Sequence, residues 1–578
     1  MSHSRSFSFT LSILILLTLF FASAAITTPV SAATIVVNSF ADNVTNDGLC
    51  TLREAIIAAN TDSAYRGCPA GSGEDTITLP KGTYTLQSQL PNITSRIIIN
   101  GSDASSTIIQ ASACNPIDRP ENCTPADYKV FLVASGSSLN INNLTIRHGD
   151  EENGGGIQNL GTLIVMDSIF SGNFSGFGGA ILNSGFAGIG RSHFLNNAAC
   201  SSQGGGSGGG IGNSGGTVLV DQSLFEENYA CYGGGGIANY NGAVAVTNTT
   251  LSDNRADFGG GILNASTTSS TTLNIVSSTL SGNHANNDGG GIYGFYSTGD
   301  IKVTNSTFSG NTAHTGGGMI AGNYNAVYLE SSTFTQNSAN LYGGVAIFGI
   351  LNFSNTIIAN SINSQDCYVA WADGASIGTN THNLVGDNNC AVGGINFLDG
   401  DPKLGPLSNN GGSTQTHALL AGSPAIDAGD CALSPDFDQR GEPRPIGASC
   451  DIGAFEFIPE PIISVFITID DLVIEEKPDT EANVVSDPTG AIAAPTANVA
   501  WDPPHTSFVY DQAYTATMVL TVAEGYEYKE STTLVTVNGQ TPDSVTIDEI
   551  QSALTVVYTF DAVIKDEISF IYLPLITR

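Results

Sequence analysis

Gly242-Ala-Val-Ala-Val-Thr-Asn-Thr-Thr-Leu251-Ser-Asp-Asn254-Arg-Ala-Asp-Phe-Gly259-Gly-Gly-Ile262-Leu-Asn264 decides the fold, because its pattern returns along the chain. An apolar residue with Asn three positions on recurs at Phe170–Asn173, Phe194–Asn197, Phe225–Asn228, Leu251–Asn254, Leu280–Asn283, Phe308–Asn311, Phe334–Asn337 and Ile357–Asn360, spaced by 23 to 31 residues. Between copies stands a glycine step such as Gly210-Ile211, Gly236-Ile237 or Gly291-Ile292. A period in this range means stacked rungs, each unable to bury an apolar face alone. Val244, Val246, Thr249 and Leu251 predict short alternating strands. Glycine allows the tight corners, and Asn at a corner tolerates left-handed dihedrals and can build a side-chain hydrogen-bond ladder. The fold class read from the sequence is therefore all-β: a right-handed parallel β-helix of nine or ten rungs, roughly 45 Å long at ~4.8 Å each.

The flanks differ from this middle. Residues 1–33 carry Arg5, an apolar run from Phe9 to Ile26 and the small-residue end Val30-Ser31-Ala32-Ala33, which reads as a secretory leader. No later segment offers the ~20 apolar residues of a membrane helix. Ten cysteines fall as neighbours, Cys50 and Cys68, Cys114 and Cys123, Cys200 and Cys231, Cys367 and Cys390, Cys431 and Cys450, and read as local disulfides of an exported chain. With 18 Lys and Arg against 53 Asp and Glu, the net charge of -35 repels polyanions and excludes nucleic acid as a partner. No metal-ligand spacing is readable, so no cofactor is expected, calcium being the one ion these acids could serve.

Two motifs of the repeat together, Phe-x-x-Asn and Gly-Gly-apolar, resemble the repeats of bacterial polymorphic outer-membrane proteins, which are parallel β-helix adhesins. Cys50-Thr51-Leu52-Arg53-Glu54-Ala55-Ile56 resembles the CSLREA segment of secreted bacterial β-helix proteins, with Thr51 in place of the usual Ser. Thr51 and Glu54 also form a capping box ahead of an apolar helix that would plug the open solenoid end, with Arg53 beside them. From Asp399 through Ser423-Pro424-Ala425-Ile426-Asp427 to Cys450-Asp451-Ile452-Gly453-Ala454-Phe455-Glu456, the chain resembles the choice-of-anchor region of such proteins. Within it, Asp438, Arg440, Arg444, Asp451 and Glu456 read as a buried salt-bridge network closing the C-terminal end. Beyond Pro459-Glu460-Pro461, the strands Phe466–Ile469, Tyr514–Leu520, Thr533–Val537 and Leu554–Phe560 resemble an immunoglobulin-like module of bacterial surface proteins, a β-sandwich. About 120 residues follow Phe457, too few for an autotransporter barrel.

The resulting division is a leader (1–33), an N-terminal cap and first coils (34–110), the repeats (111–365), C-terminal coils (366–458), the immunoglobulin-like module (462–562) and an apolar tail (563–578). As to chemistry, the rung cations Arg147, Arg191, Arg255 and Lys302 stand apart, and adjacent Glu226 and Glu227 would point to opposite faces of a strand. His148 with Asp150, Glu151 and Glu152 is the strongest candidate catalytic cluster, and a solvated loop is the plainer account of it. The sequence therefore favours an exported or cell-surface protein that binds a polysaccharide or a cell-surface component in adhesion. A polysaccharide lyase or glycoside hydrolase working along a groove and a structural envelope component are the alternatives.

Overall fold

The structure, a computed structural model, describes residues 33–118, 124–201, 204–266, 271–295, 299–322, 326–387, 389–469, 479–487, 491–494, 496–504, 507–508, 512–523, 525–528, 533–548 and 553–561. The tail 563–578, Cys123 and all of the leader but Ala33 lie outside them. Among the described residues the solenoid consists of four parallel sheets of 10, 13, 13 and 8 strands. One coil shows the path. Ile157–Asn159 lies in sheet one, Thr162–Met166 in sheet two, Ile169–Ser171 in sheet three and Phe174–Phe177 in sheet four, before Ile181–Asn183 returns to sheet one. Each strand pairs in register with its equivalent one coil away, as Phe170 does with Phe194 and Ile157 with Ile181.

Four sides require four corners, and three of these depend on residues with positive φ. Between sheets two and three they are Asn143, Asp167, Arg191, Gln222, Asn248, Ser277, Asn305, Ser331, Asn355 and His382, with φ between 45° and 55°. Between sheets three and four, Asn196, Glu227, Asp253 and Gln336 share the place with Gly172, Gly282 and Gly310, and between sheets four and one glycine dominates. Glycine is required at Gly259, where φ is 60° and a Cβ would stand 2.3 Å from the Ile262 carbonyl oxygen.

The left-handed residue at the sheet three–four corner is the one before the repeated Asn. The Asn itself turns inward. Asn173, Asn197, Asn228, Asn254, Asn283, Asn311 and Asn337 are all completely buried. Asn228 donates its backbone N–H (3.0 Å) and its Nδ2 (3.0 Å) to Asn254 Oδ1. Asn254 Nδ2 in turn donates to the Phe225 carbonyl and to Asn283 Oδ1, at 3.0 and 2.9 Å. The last copy is corrected by one position. Ile358, not Ile357, pairs with Phe334, so Asn360 takes the left-handed place (φ 60°) and the ladder ends at Asn337. A second ladder, Asn159–Asn183–Asn213–Asn239–Asn264, follows the Gly-Gly-Ile step in sheet one, with Nδ2···Oδ1 distances of 2.7 to 2.8 Å. Ser168, Ser192, Ser223, Thr249, Ser278, Ser306 and Ser332 form a third, each hydroxyl accepting the backbone N–H of the residue before it in this column. Inside, Phe170, Phe194 and Phe225 stack with centroids 5.0 and 4.5 Å apart and nearly parallel planes.

The first turns contribute only to sheets two and three, since sheet one begins at Phe131–Val133 and sheet four at Asp150–Asn153. Helix α1 (Leu52–Thr61) starts at the capping box of Thr51 and Glu54 and packs on the first three strands of sheet two, burying Leu52, Ala55, Ile56, Ala58 and Ala59. Arg53 ties it to Asp42 at 2.8 Å and to the carbonyls of Ser88 and Gln89.

At the other end the expected run of coils over 366–458 is only partly present. Coiling persists to Leu398–Asp399, after which the chain folds back along the outside of sheet three. A hairpin, Leu404–Ser408 with Thr416–Leu419, leads this strap. Thr414 Oγ1 donates to the Ser277 carbonyl, His417 Nε2 lies 2.8 Å from Ser309 Oγ, and Ala454 N–H donates to Thr333 Oγ1. Gln439 is buried among Thr279, Thr307 and Thr414. The strap therefore buries the outward Thr279, Thr307 and Thr333, whereas the equivalent His193, nearer the N-terminus, stays exposed. The ionic residues expected to close the end lie inside this strap, on the flank.

After Pro459 a seven-stranded sheet runs in the order Leu534–Val537, Ser464–Thr468, Glu481–Asp487, Thr496–Asp502, Tyr514–Thr521, Ala553–Phe560, Ser544–Asp548. Asn538 and Gly539 form a two-residue turn with both φ positive, but it closes only the Val537–Gln540 bridge, not a strand hairpin.

Truncating Asn254 to Ala leaves two buried donors of Asn228 and the Phe225 carbonyl without their partner. Asn254→Ala should lower unfolding stability by about 2–5 kcal/mol in urea titration. Asn274→Ala, in a half-buried position on sheet two, should cost less than about 0.5 kcal/mol.

Candidate functional site

In sheet one, strand alternation sends Ile and Asn of Gly-Gly-Ile-x-Asn inward and the residues at x and after Asn outward. Most outward positions hold small or aliphatic groups, including Ala238, Leu263, Ala265, Ile320 and Ala346, yet these are buried. Aromatic rings cover them. Phe177, Tyr240, Phe258, Tyr293, Phe295, Tyr342, Phe348 and Tyr368 form a second apolar layer outside the solenoid, along sheet one and its corner with sheet four. Phe258 lies 5.2 Å from both Tyr232 and Tyr293, Tyr293 is 5.4 Å from Phe295, and Tyr342 stacks on Tyr368 at 3.8 Å. Most of these rings are half-buried, and Tyr232 is 40% exposed. Burial pushes the Tyr240 phenol up to about 12, so it stays protonated beside Ser207 Oγ at 3.1 Å.

Sheet four lays a polar row beside this shelf. Asp257 accepts from Asn286 Nδ2 at 2.7 Å, His284 Nδ1 lies 2.8 Å from Thr312 Oγ1, and Asp288 is the register partner of Phe258. Flat apolar rings edged by amides, carboxylates and imidazole suit a ligand with apolar faces and hydroxyl edges. The sequence signal lay in the aromatic after the sheet-one position, as in Asn239-Tyr240, Gly294-Phe295 and Ile347-Phe348, and the period-based reading passed over it.

The residues singled out from sequence lie elsewhere. His148 Nδ1 is 2.9 Å from the Ser112 carbonyl oxygen, and burial lowers its pKa. Glu151 faces Lys129 at 4.0 Å, and Glu152 accepts from Ser201 Oγ. Asp150–Asn153 is the terminal strand of sheet four, and acids there discourage pairing with a foreign strand. The structure gives His148 and the two glutamates different partners. Arg147 is held by Gln110, Arg191 by Asp167. An open groove of about 610 Å³ lies between His193, Leu224, Thr250 and the strap's Gly412 and Ser413. Among the described residues, no three His, Cys, Asp or Glu side chains are grouped to hold a metal ion.

In the strap, Arg444 pairs with Glu456 at 3.0 Å, both fully enclosed, and Arg440 pairs with Asp438 at 2.8 Å while lying over the Phe455 ring. Among the described residues Asp451 makes no ion pair at hydrogen-bond distance; its carboxylate accepts the backbone N–H groups of Asp427 and Phe457. Disulfides join Cys50–Cys68, Cys200–Cys231, Cys367–Cys390 and Cys431–Cys450, and Cys114 is also disulfide-bonded.

Residues 277–294 match the Chlamydia polymorphic membrane protein repeat, a stretch running from the sheet-three strand Thr279–Ser281 to Ile292 of sheet one. No curated protein matches the chain. Among solved structures, pectate lyase Pel9A aligns over 74% of this chain and 97% of its own, at 13% identity and a TM-score of 0.33, a likeness that carries no argument about activity. The class defined by fold and comparison is a parallel β-helix protein with polymorphic-membrane-protein-like repeats. No helix among the described residues is long and apolar enough to cross a membrane.

Burial, and then the Glu456 charge, push Asp451 up to about 7. The folded chain thus keeps a proton that the unfolded chain releases near its ordinary value of ~4. Stability should fall as pH rises between those values, and Glu456, also raised by burial, acts in the same direction. His417, lowered by burial, opposes this only below its ordinary value. Thermal unfolding from pH 4.5 to 8 should show the decline, and Asp451→Asn should flatten it.

Proposed function

We propose that this chain is an exported, surface-displayed β-helix that binds a neutral polysaccharide along the aromatic shelf of sheets one and four, without cleaving it. The observation that carries this reading is the outer layer of rings from Phe177 to Tyr368, edged by the hydrogen-bonding row of sheet four. Pyranose rings present C–H faces that pack on aromatic planes, while their hydroxyls need the donors and acceptors that Asn286, His284 and Asp288 offer. The net charge of -35 selects against acidic glycans. The disulfides and the repeat likeness support display outside the cell.

The remaining parts serve that display. The leader 1–33 directs export, and α1, in its CSLREA-like segment, closes the N-terminal opening of the solenoid. The seven-stranded unit acts as an immunoglobulin-like spacer and the tail 563–578 as the attachment signal. Binding needs no calcium, because the shelf works through ring faces and direct side-chain hydrogen bonds.

The test pairs binding with product release. Purified mature chain should bind neutral but not acidic polysaccharides, equally with calcium or chelator, and release neither reducing ends nor unsaturated sugars. Tyr232→Ala with Phe295→Ala should weaken binding roughly tenfold or more, with the unfolding midpoint little changed. Product release from any substrate would overturn the reading.

A further inference from the structure

Lys129 is 5% exposed and stands just before Phe131–Val133, the terminal strand of sheet one. Its Nζ lies 2.7 Å from Gln158 Oε1, 2.8 Å from the Asn153 carbonyl oxygen and 4.0 Å from Glu151 Oε2. Gln158 is on the next coil, where it is the register partner of Leu132. Three features thus converge: a lysine withdrawn from water, a primary amide in contact with it, and a carboxylate at the rim, 36% exposed at its side chain. Burial lowers the lysine pKa, with the Glu151 charge opposing, so the neutral amine is more accessible than on a surface lysine.

We propose that Lys129 and Gln158 join in an intramolecular isopeptide bond, with Glu151 carrying the proton. The neutral Nζ adds to Gln158 Cδ, the new Nζ–Cδ bond forms, and the Cδ–Nε2 bond breaks. Glu151 takes a proton from Nζ and passes it to Nε2, which leaves as ammonia. One amide replaces another, so no oxidant, reductant or co-reactant is needed. The packing of adjacent coils holds amine and amide together, a proximity that free side chains lack.

The position gives the bond a purpose. Sheets one and four both begin at these coils, at Phe131–Val133 and Asp150–Asn153, where the strand ladder gives way to single backbone bonds, between the Leu90 and Ile93 segment and residues 130–134 and from Asp150 to Tyr128. A covalent link between residues 129 and 158 staples the first coil of these two sheets to the one behind it, as a disulfide would, and does so without a redox requirement. The described disulfides lie elsewhere, the closest in sequence at Cys50–Cys68 and Cys200–Cys231 apart from the bond of Cys114.

Mass spectrometry of the full exported chain, followed by proteolysis, tests the proposal. The expected result is a loss of one ammonia localised to a branched peptide that contains Lys129 and Gln158. Lys129→Arg, which keeps the charge, should yield linear peptides only. Glu151→Gln should reduce the branched fraction at a fixed age at least tenfold. Linear peptides for both residues in folded, aged wild-type protein would overturn the proposal, and this readout requires no variant to fold. An unchanged branched fraction in Glu151→Gln would overturn the assigned proton path.

Discussion

The structure depends on how a chain turns four corners per coil without losing backbone hydrogen bonds. A corner breaks the strand ladder, and a buried amide left there would cost more than the corner's other contacts return. Here the residue after the left-handed position supplies a side chain that accepts the stranded N–H of the coil before. In the ladder centred on Asn254 both Nδ2 hydrogens and the Oδ1 are used, so each amide satisfies its own polarity while satisfying its neighbour's. Because these bonds sit in the dry core, they polarise one another along the stack. Asp, Gln, Glu and Arg can then occupy left-handed positions that are ordinarily unfavourable to them.

With the interior fixed in this way, the outside of each sheet is free to differ. Sheet three gives its outward threonines to the strap, sheet four carries a polar row, and sheet one grows a second apolar layer of rings. The strap is held by enclosed ion pairs and by Gln439, whose amide bridges two coils through Thr279 and Thr307. The aromatic face is free of the strap, and the proposed binding surface lies there and not on the sheet beneath the strap.

The solenoid was legible in the sequence because its signal is periodic. The inward Phe or Leu, the inward Asn and the corner glycine recur for one physical reason in every coil. Three other features were not legible. The exact corner residue was missed because the left-handed position accepts Gly, Asn, Asp, Glu and Gln, so it leaves no single-letter trace, and the register slip at Asn360 followed from this. The strap was missed because its partners are 75 to 161 residues away, as Gln439 is from Ser278 at the far end of that range, and no local pattern announces such a contact. The aromatic shelf was missed because its rings come from sheets one and four of different coils, and only stacking brings them together. The acids beside His148 looked like chemistry because they are adjacent in sequence. The edge-strand geometry of Asp150–Asn153 gives them other partners.

The strap also imposes an order of events on folding. Each coil needs only its predecessor, so a chain emerging N-terminus first can wind as it appears, α1 providing the seed. The strap cannot dock until coils from Ser277 to Asn355 already exist, since it gathers its partners from all of them. Its closure therefore acts as a latch that fixes the stack after winding, turning a series of neighbour-to-neighbour stabilities into a single cooperative block over that half of the rod. Winding that went ahead of the strap would have to be paid back only from the free end, which gives the rod a direction along which it yields.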